Sequence, residues 1–154
     1  MTTHYRRALT SLAAIMIMLA GAVVAATPAS STQTPVMTGI RTGLNTGFDR
    51  VVLDMVGHRP GVKYSWGDEL RQDGSGHIVW LTGEHFVTAR VSPAAAHDDR
   101  GDSTYRGPQK FRTRHLRNIM AVAVTGDFEG VLSIGIGTRY RSWVRVFTLR
   151  SPTR

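Results

Sequence analysis

Residues 119–136 read IMAVAVTGDFEGVLSIGI, and this stretch decides the fold class. Its first part, Ile119–Val124, is apolar on both faces, as expected of a central strand that is covered on both sides. The turn signal GDFEG at Gly126–Gly130 then leads into Val131–Ile136, in which leucine and isoleucine occupy alternate positions. The stretch therefore predicts two β-strands joined by a turn, the first of them central in its sheet.

Short segments of alternating polarity surround this centre and are separated by turn residues. The further candidate strands are Phe48–Met55, Val62–Trp66, Ile78–Leu81, Phe86–Val91 and Trp143–Leu149. No amphipathic helix is evident beyond the N-terminal region. Seven strands at this spacing predict an all-β fold, a small β-sandwich or a barrel-like single domain.

The N-terminal segment has the three parts of a secretion signal. Arg6 and Arg7 precede an apolar run from Ala8 to Ala26, which ends in the small residues expected before a cleavage site. We therefore predict a signal peptide over 1–26, a flexible leader rich in Ser, Thr and Pro over 27–38, and the β domain over 39–154. The alternative is an uncleaved N-terminal membrane anchor, because about 20 apolar residues can span a bilayer.

Charge and composition limit the partners. Removal of residues 1–26 takes away Arg6 and Arg7 and leaves a formal net charge of +6 in place of +8. A cationic exported protein meets phospholipid head groups, wall polymers and peptide-stem carboxylates, whereas export argues against nucleic acid. The alternative is that the charge only keeps the protein soluble. The chain contains no cysteine, which excludes disulfides and lipidation at the cleavage site.

Two stretches, 92–107 and 106–117, interrupt the strand pattern and read as long loops, where binding residues tend to lie. The second is strongly basic, with Tyr105 and Phe111 interleaved. Arginine pairs its donors with carboxylate or phosphate oxygens in a way that lysine cannot reproduce. The predicted ligand-binding residues are Arg106, Lys110, Arg112, Arg114 and Arg117, with Arg50 as a secondary candidate.

Signals for catalysis and metal binding are weak. Ser75 sits in a turn without the strand–turn–helix context of an activated serine, and an enzyme would need a His–Asp–Ser or carboxylate cluster converging in a cleft. His97, Asp98, Asp99 and Asp102 are close in sequence but lack the ligand spacing of calcium loops. We therefore predict no catalytic residue, no metal and no cofactor. An alternative function is an apolar ligand pocket lined by Trp66, Trp80 and Trp143.

Several motifs, taken together, resemble the AMIN-like domains of exported actinobacterial proteins. They are GIRTG at Gly39–Gly43, GFDRVVLD at Gly47–Asp54, YRGP at Tyr105–Pro108, GDFEG at Gly126–Gly130 and RVFTL at Arg145–Leu149. The resemblance spans residues 39–149. It implies a relation to AMIN domains, β-sandwich modules that bind peptidoglycan and help to position envelope proteins such as cell-wall amidases and secretins.

The resemblance implies a non-catalytic module of the cell envelope that binds peptidoglycan or another anionic wall polymer. It supplies no catalytic residues to carry over. Such domains usually continue after the Ser-Pro-x-Arg segment with a further apolar strand, whereas this sequence stops at Arg154. Either the sequence is truncated or a partner fills the gap. A missing strand would leave an open sheet edge, at which an envelope protein could pair.

Overall fold

The computed structural model describes residues 33–149, and every regular element in this range is a β-strand. The strands are β1 Val36–Asn45, β2 Phe48–Val56, β3 Gly61–Gly67, β4 His85–Ser92, β5 Lys110–Arg112, β6 Ile119–Phe128 and β7 Val131–Thr138. β1 and β2 form a two-stranded ribbon, and the other five form a sheet in the order β3-β4-β7-β6-β5. All pairs are antiparallel. The predicted all-β fold class is confirmed.

The β6–β7 hairpin forms where the sequence predicts it. Phe128 pairs with Val131, so the turn consists of Glu129 and Gly130, both with positive φ angles of 50° and 71°. Two consecutive left-handed residues give the turn whose twist matches that of the flanking strands. Residues 121–123 of β6 are buried on both faces of the sheet, as predicted for a covered strand.

One face of the five-stranded sheet carries apolar side chains in rows that cross the strands. Strand register aligns one row that runs from β5 to β3 through Phe111, Val122, Ile136, Val87 and Trp66. The β1–β2 ribbon packs on this inner face. Its contribution to the core consists of Met37, Ile40, Val51, Leu53 and Met55. Apolar burial between the ribbon and the sheet is therefore the main source of stability.

The opposite, outer face is covered by the segment 68–84, which connects β3 to β4. Leu70 of this segment is buried. A Cβ at Gly135 would meet the Leu70 side chain, and one at Gly137 would overlap the Thr82 carbonyl. The segment can approach β7 this closely because both positions are glycine.

Two predicted strands are wrong. Ile78–Leu81 contains only an isolated bridge from Ile78 to Arg71, because this stretch belongs to the segment that lies over the outer face. Trp143–Leu149 has the alternation of a strand but is paired with no strand of the described range. Alternation shows that a segment is amphipathic, whereas a strand also needs a neighbouring edge to pair with.

Two strands were not predicted. β1 is interrupted by glycines and polar residues, and its register shifts between Met37 and Gly39, which hides the alternation. It begins at Val36, inside the segment that the sequence analysis assigned to the leader. β5 has only three residues and lies inside the predicted basic loop. The predicted signal segment falls outside the described residues.

Candidate functional site

β5 presents its cations on one side. Lys110 and Arg112 are exposed, whereas Phe111 between them packs against the core. The alternation continues past the strand, where Thr113 is buried and Arg114 is exposed. Because β5 is the last strand of its sheet, these side chains lie along an open edge. We call the exposed cations of this region, Arg106, Lys110, Arg112, Arg114 and Arg117, the basic edge.

The cations of the described range fall into two groups. The arginines that form ion pairs with carboxylates are Arg41, Arg71, Arg90, Arg100 and Arg141. The second group includes the basic edge and Arg50, which form no ion pair with a carboxylate of residues 33–149. The predicted site residues are therefore not engaged in ion pairs within the described range, although the charge of Arg117 helps to lower the pKa of Asp49.

The aromatic partner of the basic edge differs from the one expected. Tyr105 is buried, burial raises its pKa, and its hydroxyl donates a hydrogen bond to the Pro108 carbonyl. Phe111 faces the core. The aromatic residue in contact with the basic edge is Trp80, whose backbone carbonyl lies 3.5 Å from Lys110 Nζ and whose side chain is 79% exposed. The sequence assigned Trp80 to a strand, so only the fold reveals this ring.

Asp49 ties the ribbon to the end of the basic edge. Its carboxylate accepts hydrogen bonds from the backbone N–H groups of Arg117, Asn118 and Ile119 at 3.2, 2.6 and 2.9 Å. Burial alone would raise the pKa of Asp49, but these hydrogen bonds outweigh it and lower the pKa below the ordinary 3.8. We call these three hydrogen bonds the Asp49 clamp. Because Asp49 precedes Arg50 in the chain, the clamp brings the backbone of Arg50 close to that of Arg117.

Arg50 therefore lies near Arg117 but apart from the other four members of the basic edge. Its guanidinium donates to Asn45 Oδ1 at 3.2 Å and lies 5.5 Å from the centre of the Phe48 ring. Arg50 and Arg117 both line a groove on the inner face, which Arg106, Lys110, Arg112 and Arg114 do not reach. Asp54, four residues from Arg50, instead pairs with Arg41 across the ribbon, as the spacing along a strand requires.

The groove is the larger of the two cavities described here, with a volume of about 780 Å³. It lies where the ribbon leaves the β3 end of the inner face uncovered. One wall is β2, the second is formed by β3 and β4, and the third is the extended segment 142–149. Its lining is mostly apolar, and it is open to solvent.

The predicted tryptophan pocket is wrong in one residue. Trp66 and Trp143 line the groove, and Trp143 is 67% exposed with its ring centre 6.4 Å from that of Phe48. Trp80 lies outside the groove, because the segment that contains it covers the outer face. The three tryptophans therefore do not share a pocket.

A smaller polar cleft of about 330 Å³ contains a histidine–aspartate pair. His97 Nδ1 lies 2.7 Å from Asp127 Oδ2, and Ser103 also lines this cleft. The Ser103 hydroxyl donates to the Tyr105 carbonyl at 2.7 Å, and no hydrogen bond between described residues joins it to His97. The cluster therefore lacks the serine-to-histidine contact that nucleophilic catalysis requires.

The acidic stretch near residue 100 is occupied by internal contacts. The Asp98 carboxylate accepts hydrogen bonds from the backbone N–H groups of Asp102 and Arg100 and pairs with the Arg100 side chain, contacts that together lower its pKa. Within residues 33–149, no three His, Asp or Glu side chains are grouped as metal ligands. No helix long and apolar enough to cross a membrane occurs in these residues.

Comparison with known families assigns the chain. The model of the AMIN-like domain family matches residues 35–154, which is most of the sequence. The chain belongs to the AMIN-like domain family. Comparisons with curated proteins and with solved structures give no match. AMIN-like domains are binding modules that occur in cell-envelope-associated proteins, so membership indicates a peptidoglycan-binding type of module.

The motifs that carry the resemblance mainly shape this AMIN-like domain, and Arg106 is their one contribution to the basic edge. The first two motifs form the β1–β2 hairpin, and the GDFEG motif forms the turn between β6 and β7. In the YRGP motif, Tyr105 bonds to Pro108, and a Cβ at Gly107 would overlap the Tyr105 ring. The ligand contacts of the AMIN-like domain must therefore be sought on its surface.

Proposed function

We propose that this AMIN-like domain is a non-catalytic module that holds peptidoglycan or another anionic wall polymer at its basic edge. The observation that carries the proposal is the placement of cations on an open sheet edge, none of them paired with a described carboxylate. Arg50 would contribute only to ligands that reach around the Asp49 clamp.

The chemistry of the basic edge suits a repeating anion. Lys110 and Arg112 leave β5 on the same side about 7 Å apart, and Arg114 follows in the turn after the strand. Guanidinium groups hold carboxylate or phosphate in paired hydrogen bonds, and each exposed contact contributes little alone. Binding by several weak contacts favours a polymer over a single small anion, because one chain can engage all of them together.

Trp80 adds a contact for the neutral part of such a polymer. An exposed indole offers a flat apolar face with one polar edge, which suits a surface that is partly apolar and partly polar. The backbone carbonyl of Trp80 contacts Lys110, and the Trp80 side chain is exposed, which supports its inclusion. We therefore include Trp80 in the proposed site, together with the basic edge.

The proposal places the protein outside the cytoplasm, secreted or held at the envelope by an uncleaved N-terminal anchor. It involves no catalytic step, metal, cofactor or nucleic acid. A protein of the envelope is a second class of partner, which would pair at an open sheet edge. In the five-stranded sheet these edges are β3 and β5, and the charges on β5 disfavour strand pairing there.

The test is retention of the mature domain by purified peptidoglycan sacculi. We expect the domain to sediment with sacculi at about 50 mM salt and to be released at about 500 mM, because ions screen exposed charges over a shorter distance as salt rises. A parallel incubation with sacculi stripped of anionic polymers separates peptidoglycan from its attached chains. An absence of retention at low salt from both preparations would remove the proposal.

A second candidate is the binding of a small apolar ligand, and the groove favours it. The volume of about 780 Å³ lies within the range of small-molecule sites, and Trp66 and Trp143 contribute aromatic surface. It ranks second because the groove is open to solvent, which would leave an apolar ligand partly in contact with water.

A further inference from the structure

We propose that the rim of the groove docks on the surface of an anionic phospholipid bilayer, with exposed aromatic side chains entering the interface and arginines contacting the head groups. The partner is a membrane surface and not a single lipid molecule held inside the groove. This docking does not depend on wall binding, because the groove and the basic edge share only Arg117. Aromatic composition, the outward-facing row of one segment and unpaired charge each point to this partner.

Exposed aromatic side chains are concentrated around the groove. Seven aromatic residues of the described range are exposed, and five of them line the groove. These five, which we call the aromatic rim, are Phe48, Tyr64, Tyr140, Trp143 and Phe147. The ring contact between Phe48 and Trp143 joins β2 to the segment 142–149 at this rim. Exposed apolar surface gathered in one place marks contact with a protein or a membrane.

The segment 142–149 turns an apolar row away from the domain. The alternate residues of this row, all of them exposed, are Trp143, Arg145, Phe147 and Leu149. Between them, Val144 and Thr148 are half-buried, and Val146 is exposed. A segment that only closed the groove would place its large apolar side chains against the core, where burial would stabilise the fold. Their outward placement leaves apolar surface for a partner.

The charges at the groove select an anionic partner. Arg50, Arg117 and Arg145 line it and are exposed, and none of them forms an ion pair with a carboxylate of residues 33–149. The acidic residue of the lining, Asp49, is engaged by the Asp49 clamp. Arginine holds phosphate oxygens in paired hydrogen bonds, and cations beside an anionic membrane strengthen its binding.

A bilayer surface fits the aromatic rim and the arginines together. Tryptophan and tyrosine favour the boundary between head groups and acyl chains, because their rings are apolar and carry a polar group. Binding at this boundary increases with the apolar area that leaves water and with the attraction between cations and anionic lipids. A second copy of the chain would instead bring the same three arginines against this surface, where like charges repel.

The experiment measures binding of the protein, as recovered after export, to lipid vesicles at low salt. One set of vesicles contains phosphatidylglycerol and phosphatidylcholine in equal parts, and the other contains phosphatidylcholine alone. Sedimentation with the vesicles gives the affinity. Brominated acyl chains quench the fluorescence of tryptophan that enters the interface. Circular dichroism verifies that each variant is folded.

We expect the protein to bind the mixed vesicles about tenfold or more tightly than phosphatidylcholine alone, and its fluorescence to be quenched. Trp143→Ala combined with Phe147→Ala should weaken binding about tenfold, because two rings no longer leave water. Most of the quenching should be lost as well. Phe128→Ala is the matched control, since Phe128 is an exposed aromatic outside the groove, and it should leave binding and quenching unchanged.

A second pair of variants tests the charges. Arg50→Gln combined with Arg145→Gln should weaken binding to the mixed vesicles about 20-fold, because each arginine near an anionic surface contributes about fivefold. Arg59→Gln combined with Lys63→Gln removes the same charge from exposed positions outside the groove. This control should weaken binding by no more than about threefold, through screened long-range attraction alone.

Membrane docking is ruled out if the mixed vesicles do not retain the protein, or if either variant pair loses no more than its control. It is also ruled out if dihexanoyl phosphatidylglycerol, below its micelle concentration, binds as tightly as the vesicles, because the groove would then hold single lipids. A dimer that dissociates on Trp143→Ala with Phe147→Ala would make a second copy the occupant and would equally overturn the proposal. That variant should still be retained by sacculi, so a failure of membrane docking and a failure of wall binding are distinguishable.

Discussion

The two open edges of the five-stranded sheet differ in what they offer to a partner. At one end, β5 is short, and exposed cations alternate with buried residues. At the other end, β3 is longer, and its inner-face side chains border an apolar groove. A charged edge resists pairing with another strand and attracts anions, whereas an apolar edge with free backbone groups invites pairing. One sheet thus provides two surfaces with different chemistry.

The largest expected difference concerns packing at the centre and at the β3 end of the core. Ile134 is buried beneath the ribbon, so Ile134→Ala should lower the free energy of unfolding by about 2–5 kcal/mol. Tyr64→Ala, at the uncovered end, should cost less than about 1 kcal/mol because water already reaches the ring. Urea unfolding of both variants gives the comparison. Equal losses would show that the β3 end is not uncovered in solution.

A smaller effect is expected at the Asp49 clamp, beside the β5 end. Asp49→Asn weakens the charge-assisted hydrogen bonds to the backbone of residues 117–119 and should cost about 1–2 kcal/mol at neutral pH. The pKa of Asp49 is lowered on folding, so its contribution is complete above about pH 4 and is lost as the pH falls through the folded pKa.

The measurement for the clamp is chemical unfolding of both proteins at pH 7 and at about pH 2.5. The difference in free energy of unfolding between wild type and Asp49→Asn should be smaller at the acidic pH, because the wild-type carboxyl is then increasingly protonated. Lys63→Gln is a suitable reference, since it changes an exposed charge that forms no ion pair within residues 33–149 and lies away from the clamp. A gap that stays constant with pH would show that the Asp49 charge does not stabilise the fold.

The smallest expected effect concerns the paired arginines. The ion pair of Arg41 with Asp54 lies on the surface, so Arg41→Gln should change the free energy of unfolding by no more than about 1 kcal/mol. Thermal unfolding at about 20 mM and 500 mM salt tests this, with the difference shrinking at high salt. A loss larger than that of Asp49→Asn would reverse the proposed order.

The central strands were predictable because a buried strand face requires apolar residues at regular positions in the sequence. β6 is apolar on both faces, and β2, β3, β4 and β7 alternate in polarity with turn residues between them. The ends of the sheets were not predictable in this way. β5 consists mostly of charges, and Trp143–Leu149 alternates without acquiring a partner. Edge position depends on which neighbours are available, and that is a property of the whole chain.

The sequence predicts which cations are exposed, but it does not predict which of them form ion pairs. The exposure of the cations in 106–117 follows from their charge, and the structure agrees. Which arginines remain unpaired depends on contacts between distant residues, such as Arg41 with Asp54 and Arg141 with Asp68. For the same reason the sequence assigned Trp80 to a strand and, in the alternative function, to a shared tryptophan pocket, although its segment lies over the outer face.

The most direct test of the central claim compares two triple variants that remove the same charge. Lys110→Gln, Arg112→Gln and Arg114→Gln neutralise the basic edge, whereas Arg71→Gln, Arg90→Gln and Arg100→Gln neutralise arginines that are paired internally. Retention by peptidoglycan sacculi at about 50 mM salt should fall at least tenfold in the first variant and less than twofold in the second. Equal losses in both would contradict the account, because binding would then follow net charge and not the basic edge.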